Sequence, residues 1–264
     1  MWRSAVKLAR SKKLIQEARL LFGEKVYGIS KFQRQVPLLK NVKAALPGQG
    51  NHLRSRFTFY FVLLTLFLFT TACTSTQPVI KIGLVAPFEG EHRAIGYDAI
   101  YSARLAVREV NNRGGLGGYK VALVALDDSA DPRLARETAA ALAIDPDVVA
   151  VVGHWRPETS TVARPVYENN HLPFIWLGDE PFLPVAPTNL PADFKNAYAA
   201  VTPFEEVADI YAGSTYDAFQ LLFAAVEQSA TAEGHLTRES LTNSLHNLRI
   251  DGITGIVYLN TTEQ

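Results

Sequence analysis

Between Val79 and Leu177 the chain repeats one unit: a short apolar strand, a helix-patterned stretch and another short apolar strand. Successive strands joined by crossovers of this length run parallel, with helices covering the sheet. The repeat therefore restricts this stretch to an α/β fold with a mainly parallel sheet. In such a sheet the loops gather at one edge, which is where small molecules bind. The joints read VIKIGLVAPFEG, NNRGGLGGYKVALVALDDSADP and VVAVVGHWRPETS.

Ile80 to Val85, Val121 to Leu126, Val148 to Val152 and Pro173 to Leu177 are the four expected strands. Ile100, Ala103, Val107 and Val110 fall at three- and four-residue steps, the stripe of a helix buried on one side. Asn111, Asn112, Gly114 and Gly115 end that helix. Asp131 caps the next one, with Pro132 at its first position, and this helix runs to about Ile144. The third helix lies within RPETSTVARPVYENN. Pro165 lacks an N–H, so this helix is expected to kink there or to begin only just before it.

Several chemistries are disfavoured. The glycines of GGLGG, 114–118, leave a helix and enter a strand, whereas a phosphate-gripping loop does the reverse. No P-loop, no G-x-S-x-G and no paired Cys or His is present. Asp127, Asp128 and Asp131 resemble a metal cluster, but capping and strand-end roles account for them, and no neighbouring Cys or His completes a zinc set. His154 has no nucleophile arranged beside it. The expectation is a non-enzyme with no cofactor and no metal.

Charge is split along the chain. Residues 1–56 carry 13 Lys/Arg against Glu17 and Glu24, a net +11, so the remainder carries −11, because the whole chain has 26 of each sign. A basic head suggests nucleic acid, but an uncharged apolar run follows from Phe57 to Ala72, with Arg54 and Arg56 just before it. Its 16 residues are fewer than the ~20 of a spanning helix and suit the core of a secretory signal. It ends in TTAC, and Cys73 is the only cysteine. A bacterial lipoprotein signal resembles this order, with Cys73 as the lipidated residue. Thr70 departs from that pattern, and the alternative is an uncleaved anchor with an inert thiol. Either way the folded part lies outside the cytoplasm, membrane-anchored, with no nucleic-acid partner. The expected divisions are a basic segment 1–56 (a mis-assigned start or a cytoplasmic piece), a signal or anchor 57–73, a tether 74–78 and one folded lobe 79–264.

The candidate surface is the edge where the third and fourth strands end. GHWRPETST contributes Gly153, His154, Trp155, Thr159 and Ser160, and LGDEPF contributes Gly178, Asp179, Glu180 and Phe182. A helix start with hydroxyls suits a carboxylate. Carbonyls at Leu177 or Gly178, with Asp179 or Glu180, suit an ammonium. An α-amino acid carries both charges. Each residue also has a structural reading: Thr159 or Ser160 as a cap, Trp155 as packing, Glu180 as a solvated loop residue.

IKIGLVAPFEGEHRAIGYDAIYSARLAVREVNNRGGLGGYKVALVALDDSADP, followed by VVGHWRPETSTVARPVYENNHLPFIWLG, resembles the first lobe of branched-chain amino-acid-type periplasmic binding proteins. YAGSTYDAFQLLFAAVEQ, LTRESLTNSLHNL and IDGITGIVYLN resemble their C-terminal portion. The resemblance implies a type I, three-layer α/β/α lobe and a solute receptor of an ABC importer, with a small zwitterion as ligand and a permease as partner. It places the ligand carboxylate at Thr159 or Ser160, with Gly178 and Glu180 on the second loop. Asp179 and Glu180 depart from that usually small, hydroxylated loop, and would repel a carboxylate or prefer a cation. It also implies a gap: where the family has most of a second lobe, only LPVAPTNLPA separates the two matching stretches. The resemblance leaves three functions: a weakened receptor, a ligand-sensing lobe of a membrane receptor system, and an inactive truncated product.

Overall fold

The computed structural model describes Tyr60 and residues 76–259. The chain divides into two units, 1–72 and 73–264, and only Tyr60 of the first is described. The signal or anchor reading of 57–73 and the lipid-site reading of Cys73 lie outside the described residues. Among these, no helix is long and apolar enough to cross a membrane.

The expected alternation is present. It runs β1 (Val79–Ala86), α1 (Arg93–Asn112), β2 (Lys120–Asp127), α2 (Pro132–Ala143), β3 (Val148–Gly153), α3 (Pro157–Asn169) and β4 (Phe174–Trp176). The four strands form one parallel sheet in the order β2-β1-β3-β4. Ile82, Leu84 and Val85 of β1 are fully buried because both sheet faces are covered, which is why the strand reads as an apolar run broken only by Lys81 near its start.

Two apolar layers sandwich the sheet. On one face Ile82 and Leu84 share a cluster with Ala99, Ala103 and Val110 of α1. On the other, Val85 and Val151 join Leu142 of α2 and Ala163 and Tyr167 of α3. Asp131 caps α2 as expected, accepting from the Arg133 and Leu134 amides. The α3 expectation needs correction. This helix starts at Pro157, well before Pro165, which sits inside it. Pro165 lies on the exposed side, where water can reach the carbonyl that its missing N–H leaves unpaired.

After β4 the chain forms a short 3-10 turn, Pro187–Asn189, and then α4 (Ala192–Ala199), α5 (Ala212–Glu233), α6 (Arg238–His246) and an antiparallel hairpin of β5 (Arg249–Asp251) and β6 (Ile256–Tyr258). Phe219, Leu222 and Val226 of α5 complete the apolar layer begun by α1. Three polar anchors, two of them buried, fix this return. Asp98 of α1 accepts from the Tyr198 hydroxyl at 2.9 Å and from the Asp209 and Tyr211 amides at 3.0 and 2.8 Å. Asp217 of α5 accepts from the Ile253 and Thr254 amides, both at 2.8 Å. Arg238 donates to the carbonyls of Ala143, Asp145, Val148 and Asn170, joining the ends of α2 and α3 to the start of β3.

Candidate functional site

The order β2-β1-β3-β4 reverses direction between β1 and β3, so the crevice for a ligand lies beyond the C-terminal ends of these strands. At the same edge of the sheet, beside that crevice, the loops after β3 and β4 meet. Gly178 has φ +102°, and a Cβ on it would lie 2.8 Å from the Trp155 carbonyl oxygen. Only a residue without a side chain permits this approach. The two loops therefore approach each other through their backbones.

The side chains of the first loop turn inward. Thr159 and Ser160 are fully buried. The Thr159 hydroxyl donates to the Arg156 carbonyl at 3.0 Å, and the Ser160 hydroxyl to the His154 carbonyl at 2.7 Å. Both amides also donate to the Arg156 carbonyl. Each hydroxyl has one proton to give, so neither donates outward in this conformation. Trp155 is 6 % exposed and packs within the α1-side cluster. Its indole N–H is buried without a hydrogen-bond partner.

The second loop does face solvent. Gly178, Asp179 and Glu180 are exposed. Phe182 folds back beneath them, its amide donating to the Asp179 carbonyl at 2.7 Å and its carbonyl accepting from the Gly178 amide at 3.2 Å. Asp179 accepts from the Glu180 amide. Glu158, also exposed, approaches Arg156 at 3.4 Å, an exposed pair that contributes little.

Beneath these loops lies a polar chain that the sequence reading did not connect. His154 is fully buried with φ +56°. Its Nδ1 lies 3.0 Å from Asp128 Oδ2 and its Nε2 lies 2.9 Å from the Tyr167 hydroxyl. A carboxylate only accepts, which places the ring proton on Nδ1 and leaves Nε2 to accept from Tyr167. Burial, and then the Asp128 charge, raise the Tyr167 phenol well above its usual range, so it remains a donor. The signal available beforehand was positional: Asp128 follows β2 and His154 follows β3, the two neighbours of β1.

Asp127 accepts from the Phe88 amide at 2.7 Å and from the amide and hydroxyl of Ser129. Burial alone would raise this carboxyl, but these donors together hold it below the usual range. It ties the β1 loop to the β2 loop. The described residues hold no group of three metal-ligating side chains. A surface groove of about 580 Å³ lies elsewhere, lined by Glu168, His171, Phe174, Glu239 and Asn243 near the end of α3 and the start of β4. It shares no residue with the candidate loops.

Residues 79–190 match the periplasmic binding protein family model. The chain is 32 % identical over 89 residues to an amino acid binding protein of Pseudomonas aeruginosa, covering 34 % of this chain and 24 % of that protein. It is 40 % identical over 87 residues to the Leu/Ile/Val-binding protein BraC3 of Rhizobium johnstonii, covering 33 % and 23 %. These matches span about a quarter of the length of the curated relatives. Among solved structures, the isoleucine complex of the branched-chain amino acid transporter substrate binding protein LivJ from Streptococcus pneumoniae is similar, with a TM-score of 0.57 and 14 % identity over 70 % of this chain and 92 % of that chain. A solute binding protein of an ABC transporter from Rhodopseudomonas palustris, in complex with 3,4-dihydroxy benzoic acid, gives 0.58 and 11 % over 68 % and 88 %. At these identities the likeness concerns the fold, a parallel sheet with helices on both sides. Residues 79–190 are thus similar in sequence to periplasmic binding proteins, and the described residues share the fold of one lobe of the solute-binding proteins named above.

Proposed function

We propose that this chain is an extracytoplasmic solute-binding protein of amino-acid type, serving an ABC importer, in which ligand binding is weakened. It is not an enzyme on this reading; the named relatives are binding proteins. The observation that supports it is the meeting of the β3 and β4 loops at the C-terminal edge of the sheet, with Gly178 against the Trp155 carbonyl. Thr159, Ser160, Gly178, Asp179, Glu180 and Trp155 form the rim at which a zwitterion would rest. The permease partner, lipid attachment at Cys73 and an anchored location belong to the same proposal.

Two features favour weak binding. Thr159 and Ser160 spend their protons on main-chain carbonyls, and Asp179 and Glu180 set negative charge where a carboxylate would approach. The described residues also provide one wall of a cleft, whereas pockets typically bury ~70–90 % of a small ligand. These features equally support a product that has lost binding altogether.

Calorimetric titration of the full chain with each common amino acid tests the proposal. Heats reaching saturation only at millimolar ligand are expected. Micromolar or tighter binding would contradict the weakened site. Complete silence, together with no association with a permease encoded beside it, would favour the inactive product.

A further inference from the structure

A second surface, formed by different segments, has the composition of a docking site. Val207 is 78 % exposed and Tyr97 49 %, and both line a hollow of about 370 Å³ with Ala94, Asp98, Tyr198, Glu206 and Asp209. Phe204, three residues before Val207, is 83 % exposed. The apolar side chains therefore come from two segments that hydrogen bonds to Asp98 hold together: α1 and the stretch before α5. Isolated exposed apolar residues are ordinary, but a rimmed group on a fixed frame marks an interaction surface.

The frame is rigid where it matters. Asp98 binds the Asp209 and Tyr211 amides, and Thr202 accepts from the Glu206 amide at 2.7 Å. These bonds hold the loop in place with Phe204 and Val207 in solvent. A floppy loop would be free to fold the same residues inward.

Charge selects the occupant. Asp98, Glu206 and Asp209 line the hollow, and no Lys or Arg does. From Asp193 to Tyr211 the chain has four acids, Asp193, Glu205, Glu206 and Asp209, against Lys195 alone. Arg93 precedes Ala94 at the start of α1 and Arg104 lies over the Tyr101 ring at 5.7 Å, but neither arginine lines the hollow. The Glu206 charge is felt at both the Tyr101 and the Tyr198 phenols, behind the larger influence of burial. A second copy would set the same acids against themselves. A cation would meet the exposed carboxylates of Glu206 and Asp209 and two aromatic walls, which is the environment that favours a guanidinium or ammonium.

We propose that the Tyr97–Phe204–Val207 surface docks a protein segment in which an Arg or Lys is flanked by apolar side chains. The cation enters the hollow toward Glu206 and Asp209, and the flanking side chains cover Val207, Phe204 and Tyr97. The interaction does not use the β3 and β4 loops, so it stands or falls separately from solute binding.

Fluorescence anisotropy of the full chain tests this with two labelled peptides of alternating residues, leucine–arginine and leucine–glutamate. Saturable binding of the leucine–arginine peptide is expected, at least about tenfold tighter than that of the leucine–glutamate peptide. V207S with F204S should weaken it about tenfold, and E206Q by about threefold or more, with unchanged circular dichroism. No saturable binding, equal binding of both peptides, or binding untouched by these substitutions would overturn the proposal. So would free argininamide binding as tightly as the peptide, which would make this a small-cation site. Light scattering that shows a dimer dissolved by V207S/F204S would assign the surface to a second copy and likewise overturn it.

Discussion

The Tyr198 hydroxyl donates to Asp98 at 2.9 Å across 100 residues of sequence, joining α4 to α1. Tyr198 is 2 % exposed and Asp98 5 %. The same carboxylate takes the Asp209 and Tyr211 amides, so a single side chain closes the C-terminal return onto the first helix. Y198F removes one of three donors and should lower stability by about 1–2 kcal/mol. D98A strands a buried hydroxyl and two half-buried amides, and should cost about 3 kcal/mol or more. Urea unfolding followed by circular dichroism measures both. Equal losses for the two variants would mean that the amides find other partners.

Arg238 should not tolerate lysine. Its guanidinium reaches four carbonyls on three segments, at 2.8 to 3.2 Å. An ammonium is a compact point donor and cannot span them as a planar fork does. R238K should destabilise by about 2 kcal/mol, with faster amide exchange in β3 and at the C-terminal end of α2. Exchange accelerated uniformly across the sheet would argue against such local stapling.

Asp217 gives a pH signature. Burial is the largest influence and raises its carboxyl above the usual range, despite the donors at Ile253 and Thr254. Between the ordinary and the raised value the folded chain holds a proton that the unfolded chain has released. The contribution of this group to stability therefore falls as pH rises through that window and is flat above it. D217N removes the titration. The stability difference between wild type and D217N should shrink from about pH 4 upward and become constant near neutrality. A difference that grows with pH would reverse the sign and exclude a raised carboxyl.

The sheet was legible because both of its faces are covered, so β1, apart from Lys81, and β3 read as unbroken apolar runs at the right spacing. The α2 cap was legible because Asp131 and Pro132 act within their own turn. The start of α3 was not, since Pro165 reads as a breaker unless its exposed position is known. The direction of the Thr159 and Ser160 hydroxyls depends on which carbonyls the loop turns toward, and the local sequence is silent on that. Asp128 and His154 are 26 residues apart and meet only because β2 and β3 flank β1. The hollow at Val207 was equally hidden, because its walls belong to segments more than 100 residues apart.

Two aromatic substitutions near the candidate loops should behave oppositely. The Tyr167 hydroxyl is fully buried and donates to His154 Nε2, so Y167F leaves a buried ring nitrogen without its donor. That should cost about 1–3 kcal/mol. The Trp155 indole N–H is buried with no acceptor, so its desolvation already weighs against the fold. W155F deletes that donor at the price of a smaller ring. The two terms oppose each other, and stability should change by less than about 1 kcal/mol. The same variant also bears on the rim: if the indole N–H meets a ligand acceptor once the loop opens, W155F should abolish whatever weak amino-acid binding calorimetry detects while leaving the unfolding midpoint in place. Loss of more than about 2 kcal/mol in W155F would instead show that the indole is chiefly a packing element, and would remove Trp155 from the binding rim.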